Sequence, residues 1–329
     1  MRRLIEPDSA GDTFSGKVST RWEFARGFAV RGTVSNGFRA PSLAQTIYAS
    51  NTVTGQVSPS GVFQTIPIKV LPVNTPQARA LGASPLTPEK SVNYSIGVTA
   101  DPGHSVQLTV DAYQIEINNR IVETGLLRGA GVDALLAPVG LPSGSAAQYY
   151  TNAVSTRTRG VDAVATWSRN LDSLGQLKLS AAYSWNKTDI TGFRPTPGQL
   201  ANLNLVLFDR QRQGDLTVAL PRDKIIVSAD WRRDRLKVGA RLTRYGRYTE
   251  VGTAPVNDRT FSPKWISDLD VSWDVGERTT IGAGANNLFG VRPDSIGIVD
   301  ARYGTGLYGA FSPFGILGGF YYARLTQRF

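Results

Sequence analysis

Eleven stretches of this chain alternate residue by residue between apolar and polar side chains, and the spacers between them alternate as well, short and then long. A two-residue period puts every second side chain on one face of a strand. Phe14, Gly16, Val18, Thr20, Trp22 and Phe24 fall on one face, and Ser15, Lys17, Ser19, Arg21 and Glu23 on the other. After Arg26-Gly27 the pattern resumes with Phe28, Val30 and Val34 opposite Arg31, Thr33 and Ser35, which reads as a hairpin. The same unit recurs at 92–99 with 106–113 and at 161–167 with 176–186. It returns at 225–231 with 236–243 and at 268–273 with 281–285. The last strand, 319–329, sets Tyr321, Ala323, Leu325, Gln327 and Phe329 against Phe320, Tyr322, Arg324, Thr326 and Arg328.

Between the hairpins run long segments at 37–88, 123–150, 191–222 and 290–318. The first is expected to be irregular apart from one short helix, with Thr75 as cap, Pro76 at its first position and Gly82 as stop. The second is expected to carry a helix near 132–137. A regular succession of short turns and long loops is the habit of outer-membrane barrels, whose turns are short on one side of the membrane and long on the other. A soluble sandwich does not keep that rhythm.

The strand charges point the same way. Lys17, Arg21, Glu23, Arg31, Asp111, Lys178, Lys237, Arg241, Asp268, Asp270 and Arg324 all sit opposite the apolar face. A charge facing lipid at the midplane costs ~2–4 kcal/mol, so these belong to a lumen. Trp22, Tyr94, Trp167, Tyr183, Trp185, Trp231 and Trp273 lie mostly near strand ends on the apolar face, as an interfacial girdle would. The competing reading is a soluble β-protein whose polar faces are merely solvated. No apolar run approaches the ~18 residues of a spanning helix. Cysteine is absent and histidine occurs once, which removes thiol chemistry and most zinc chemistry. The net charge of +10 is spread along the chain, so nucleic acid is not an expected partner. Residues 1–13 contain no apolar stretch that would read as a signal peptide.

Several stretches resemble one family. Gly37-Phe38-Arg39-Ala40-Pro41-Ser42-Leu43 is similar to a barrel motif of TonB-dependent outer-membrane receptors. Leu86-Thr87-Pro88-Glu89-Lys90-Ser91 with Gly97, Asn152 with Arg159-Gly160-Val161-Asp162, Asn286-Asn287-Leu288-Phe289 and the terminal Phe329 follow in the family's order. Asp162 stands where the family more often has Glu. The resemblance implies an all-β fold: an antiparallel transmembrane β-barrel portion of about eleven strands, the C-terminal half of a barrel of about 22 strands. Residues 14–329 would form that portion, open or incompletely closed, without the plug domain, the TonB-contacting box, a leader or the first barrel half. Eleven antiparallel strands cannot close on themselves, and open edges are not tolerated in hydrocarbon. The chain is therefore expected to be a fragment that neither closes nor imports a cargo alone.

The implied function is import of a scarce nutrient, a ferric siderophore or similar, across the outer membrane of a Gram-negative bacterium. Haem, cobalamin and oligosaccharides remain alternative cargoes. Implied partners are outer-membrane lipid and lipopolysaccharide, the missing plug and barrel half, the TonB complex acting through that region, and the small-molecule cargo. A passive pore or surface adhesin is the second reading. An enzyme is not expected: His104 sits in a turn, and the pair Asp268 and Asp270 reads as lumen lining rather than a metal site. No cofactor is expected. Candidate cargo contacts on the lumen face are Arg21, Arg31, Asp111, Lys178, Arg241, Asp268, Asp270 and Arg324. In the loops, Tyr48, Asn51, Phe63, Gln64 and Gln148-Tyr149-Tyr150 offer aromatics beside amides for stacking, and Arg241, Arg244 and Arg247 offer charge to anionic siderophores or lipid phosphates.

Overall fold

Alternating side chains need a sheet with two unlike faces, and the chain builds one. The computed structural model describes residues 13–57, 63–103, 105–296 and 307–329. In chain order the elements are β1 (Gly16–Ala25), β2 (Phe28–Arg39), α1 (Leu43–Ile47), β3 (Ser50–Val57), β4 (Phe63–Val70), α2 (Pro76–Ala80), β5 (Glu89–Ala100) and β6 (Val106–Glu123). There follow α3 (Ala130–Leu136), β7 (Ala146–Gln148), β8 (Tyr150–Asn170), β9 (Gln176–Phe193), α4 (Gly198–Ala201) and α5 (Arg210–Thr217). The series ends with β10 (Asp223–Arg233), β11 (Leu236–Tyr245), β12 (Tyr248–Glu250), β13 (Arg259–Phe261), β14 (Lys264–Asp274), β15 (Thr279–Asn286) and β16 (Phe320–Gln327).

Eleven of these strands form one sheet in the order β1-β2-β5-β6-β8-β9-β10-β11-β14-β15-β16. Every neighbouring pair is antiparallel, and β1 and β16 do not pair, so the sheet is open. The register carries single-character rows across it. Trp167, Leu179, Ala229, Ala240, Leu269, Ala285 and Tyr321 stand side by side from β8 to β16. On the opposite face a row runs Arg21, Arg31, Gly97, Asp111, Asp162, Ser184 and Lys224. The first kind of row is the outward side; Leu179 and Tyr183 are each 40% exposed there.

Curvature confirms which face is inside. Side chains converge on the concave face of a curved sheet. Strands lie ~4.8 Å apart, so residues two strands away are ~10 Å apart at the backbone. Arg31 of β2 nevertheless makes two hydrogen bonds to Asp111 of β6, the Nε bond at 2.8 Å. Tyr322 Oη of β16 likewise donates to Asp270 Oδ2 of β14 at 2.8 Å. Both bridges skip a strand and both lie on the polar face. The skipped strand has a glycine at each crossing: a Cβ on Gly97 would sit 1.9 Å from Asp111 Oδ1, and one on Gly284 would sit 2.5 Å from the Tyr322 hydroxyl.

Three strands are much longer than the sequence pattern indicates. β6 has 18 residues, β8 has 21 and β9 has 18, against the ~9–11 that cross a bilayer. Beyond the apolar rows the outward face turns polar, at Gln114, Glu116, Arg157, Arg159, Lys187 and Asp189, while the opposite face carries Ile115, Ile117 and Ile190, so the apolar-out alternation is lost while the backbone pairing continues.

The expectation of an irregular 37–88 segment with one helix is corrected. The helix is there: Thr75 caps α2, its side chain accepting from Ala78 N–H, with Pro76 at the first turn. The segment also holds α1, closed by a capping box between Ser42 and Gln45, and the hairpin β3–β4. β7 adds to β4 in parallel, Ile68 opposite Ala146. The segment 191–222 contains α4 and α5 rather than plain loop. These pieces form a cap with an apolar core of its own. Leu81, Leu127, Val132, Leu136, Tyr149 and Leu200 are at most 2% exposed in it. The described helices are all short, and none is long and apolar enough to cross a membrane.

Candidate functional site

The stretches that carry the family resemblance meet where the long loops leave the sheet. Arg39 ends β2 and Glu89 starts β5. The guanidinium donates to both carboxylate oxygens of Glu89, at 2.8 and 2.6 Å. Glu89 is 7% exposed, and its Oε1 also accepts from Ile121 N–H at 2.7 Å. Asn152 closes the same junction. Its Oδ1 accepts from Thr87 N–H at 2.9 Å, and its amide donates to Thr87 O at 2.9 Å and Asn119 O at 2.7 Å. Asn119 stands in the left-handed region at an irregularity of β6. Across the molecule, Asn287 does the equivalent work. Its N–H donates to Asp268 Oδ1 at 2.8 Å, and its side chain both accepts from and donates to Val291. These residues tie loop ends to strand ends.

The lumen-face candidates divide into two groups. Arg31 and Asp111 are joined over Gly97, while Arg21 lies opposite Arg31 and meets Glu23 at 3.4 Å on an exposed strand. Lys178, Arg241, Asp268, Asp270 and Arg324 lie on β9 to β16, and the first four of them line a concavity of about 850 Å³ together with Asp230 and Tyr322. Arg324 approaches Asp270 at 3.3 Å. The structure thus brings Lys178, Arg241, Asp268 and Asp270 around one hollow and leaves Arg21, Arg31 and Asp111 at the other end of the wall. Asp268 is spent on the Asn287 backbone and Asp270 on Tyr322 and Arg324. No group of three metal-ligating side chains occurs among the described residues.

Several loop expectations change. Gln148 and Tyr149 are buried, 5% and 0% exposed. The Tyr149 hydroxyl donates to Leu81 O at 3.1 Å, and burial pushes its pKa up. Both are cap core, not surface for stacking a cargo. Tyr48 is 46% exposed and remains available, and Tyr150 is partly covered. Asn51 lies in β3; Phe63 and Gln64 begin β4, with side chains outside the described set. Arg244 does not accompany Arg241. It lies on the outward face and pairs with Asp223, while Arg247 sits in the link between β11 and β12. His104 lies outside the described residues.

The sequence reading missed a clasp. Asp209 caps α5 through Arg212 N–H at 3.0 Å. Arg210 then takes Asp258 with two hydrogen bonds of 2.6 Å, and Arg212 takes Glu123. The Arg210 guanidinium holds the Asp258 carboxyl below its usual range. One helix of eight residues thereby ties three loops together. Only the cap residue and the run Arg210-Gln211-Arg212 signal it in sequence, and their partners lie 48 and 89 positions away.

An open antiparallel wall, apolar outside and charged within, crowned by a folded cap on its long-loop side, defines part of an outer-membrane β-barrel receptor. The chain belongs to the family described as TonB dependent receptor-like, beta-barrel, whose model matches residues 5–288. That is a family of receptors and not of enzymes. Among curated proteins it is similar to an iron-regulated outer membrane virulence protein of Vibrio cholerae, 24% identical over 290 residues, covering 87% of this chain and 37% of the relative. Among solved structures it resembles a variant of the ferric enterobactin receptor from Pseudomonas aeruginosa, at TM-score 0.62 and 18% identity, covering 98% of this chain and 41% of that one. The siderophore receptor PirA from Acinetobacter baumannii aligns at TM-score 0.60 and 16% identity, covering 98% and 42%. The chain spans well under half the length of the relatives it matches.

Proposed function

We propose that residues 14–329 form the C-terminal portion of the barrel of an outer-membrane receptor that imports a ferric siderophore. The observation that carries this reading is the pairing of a lumen wall with a rigid cap. Loop junctions stapled by Arg39, Glu89, Asn152 and Asn287 hold a folded binding face at one end of a charged lumen. Relatives named for iron regulation and for siderophores support the cargo class. The lumen candidates Lys178 and Arg241 would attract an anionic chelate, while Arg31 and Asp111 hold the wall's curvature. Closing the wall needs strands beyond these eleven, and energy coupling needs a plug and the TonB complex that acts through it.

The test is binding at the cap. The full chain in detergent micelles is titrated with a ferric catecholate, haem, cobalamin and a maltodextrin, with intrinsic fluorescence as readout. The catecholate is expected to quench at the lowest concentration. Preference for the sugar, or equal response to all four, overturns the cargo assignment.

A further inference from the structure

Two arginines face each other at the short-turn end of the wall. Arg278 and Arg328 lie one position beyond the paired ends of β15 and β16, with Arg328 N–H donating to Arg278 O at 2.8 Å. Both share parity with Thr280 and Thr326, two residues away, which places them side by side on the lumen face. Like charges directly opposite on neighbouring strands are destabilising. More cations stand nearby. Arg232 of β10 and Lys237 of β11 are register partners on the same face, and Arg235 lies in the turn between those strands. The five cations line one concavity of about 440 Å³, which shares Arg232 and Lys237 with the larger hollow.

The charges there do not balance. Two carboxylates also line the concavity, which leaves three positive charges in excess. Asp274 is occupied: Lys237 Nζ approaches it at 3.0 Å, and Thr280 Oγ1 donates to it at 2.7 Å. Glu277 sits in the turn between β14 and β15 and forms no ion pair. The guanidinium groups of Arg232, Arg278 and Arg328 make no hydrogen bond or ion pair among the described residues, and Arg235 reaches the Val275 carbonyl at 3.5 Å.

A single exposed arginine is simply hydrated. Several cations around one concave wall reinforce each other's field and raise the local concentration of anions. The volume is that of a small-ligand site, roughly 300–1,000 Å³. A guanidinium fork matches the paired oxygens of a phosphate. Arg232 and Arg278 belong to strands three steps apart in the sheet, so an anion that meets both carries charge at more than one point. A phosphate group brings ~1.5–2 negative charges at neutral pH, so two or three of them offset the excess in this small volume. We propose that the concavity is a site for a small anion bearing several phosphate groups, at the short-turn mouth of the lumen. The site stands apart from the cargo assignment, since it needs only the grouping of these cations on the inner face.

The experiment titrates the full chain in detergent micelles with tripolyphosphate or with inorganic phosphate, and line broadening in phosphorus NMR reports binding. Tripolyphosphate is expected to half-saturate at a concentration at least tenfold lower than inorganic phosphate. The double variant Arg278→Gln/Arg328→Gln is expected to weaken it at least fivefold. Arg79→Gln/Arg194→Gln, which removes the same charge from exposed positions on the cap, is expected to leave it within twofold. Equal response to the two anions, or an unchanged half-saturation in the first variant, overturns the site. Equal weakening in both variants overturns it as well, by reducing it to net charge. Displacement of tripolyphosphate by a hexaglutamate peptide at a tenth of its concentration overturns a small phosphate as the ligand. The comparison of the two anions on unmodified protein stands whether or not the variants fold.

Discussion

The wall and the cap are made from one chain and obey opposite rules. The wall exposes what a soluble protein hides: Val18 is 76% exposed, Ile96 63% and Leu325 72%. The cap hides it: Ala78, Leu81, Tyr149 and Leu200 are fully buried. A contiguous exposed apolar surface on this scale marks contact with lipid or protein. The wall's strands are held by their backbone ladders, and their apolar side chains draw their free energy from surroundings outside the molecule. The cap carries a core of its own and so behaves as a small soluble domain fastened to strand ends. The fastening is polar, through Arg39–Glu89, Asn152–Thr87 and the α5 clasp.

If this division is real, damage to one region should leave the other standing. The largest effect is expected at Tyr149. Tyr149→Ala empties the centre of the cap and strands the Leu81 carbonyl, at a cost of ~3–5 kcal/mol for a buried aromatic. Protease should cut residues 124–149 and 191–222 rapidly while the β-sheet circular dichroism persists. Loss of the sheet signal together with the cap would break the comparison.

The converse substitution tests the wall. Leu179→Arg places a charge in the row Trp167, Leu179 and Ala229 on the outward face, at ~2–4 kcal/mol near the midplane. Ser180→Arg, one residue on, adds a charge to the lumen side, where Ser228 and Arg241 are already polar. Insertion into lipid vesicles should fall sharply for the first variant and little for the second. Similar losses in both would mean the two faces are not facing different media.

A smaller effect is expected at the junction between the regions. Glu89→Gln removes one charge from a nearly buried carboxylate that serves Arg39 and Ile121 N–H. Hydrogen bonds to charged groups contribute ~1.5–3 kcal/mol. Hydrogen exchange should quicken in residues 40–48 and 81–88, with slow exchange retained at the sheet positions 92–98. This outcome would sharpen the comparison by showing that the anchor serves loop placement rather than either core.

The two regions also differ in how far they could be read from sequence. The wall was legible because its physics is local. A strand with lipid on one side and a lumen on the other must alternate, and all eleven sheet strands follow from that period. Its limits do not follow from the period where the outward face becomes polar, as at Gln114, Glu116, Arg157 and Arg159, because the signal is an apolar outward face and not pairing. The cap was legible only where a local device announced itself, as Thr75-Pro76 does for α2. The parallel pairing of β4 with β7 joins Ile68 to Ala146, and nothing local at either end predicts it. The candidate site fared likewise. The period puts Lys178, Arg241, Asp268 and Asp270 on the polar face, yet which of them share a hollow depends on register across the four strands β9, β10, β11 and β14. Gln148 and Tyr149 looked like cargo contacts because aromatics and amides read alike whether they face solvent or a core.

The smallest effect concerns the clasp, and its sign follows from the charge it uses. Asp258 has a folded pKa held below its ordinary value of 3.8, first by its hydrogen bonds from Arg210. A carboxyl with a depressed folded pKa binds fewer protons folded than unfolded. Its contribution is complete above the unfolded value and fades as pH falls through the folded one. The α5 clasp should therefore be at full strength at neutral pH and loosen only below about pH 4. Hydrogen exchange at Gln213–Thr217, corrected for its intrinsic pH dependence, is expected to accelerate there in the native chain. Asp258→Asn should exchange faster at neutral pH and show less change on acidification. The Arg39–Glu89 junction is the internal comparison: Glu89 is nearly buried and shared with a backbone N–H, while the Asp258 side chain is 29% exposed. Loosening at α5 before residues 81–88 would rank the clasp as the weaker of the two fastenings. Simultaneous loosening would mean that the cap is released from the wall as one unit.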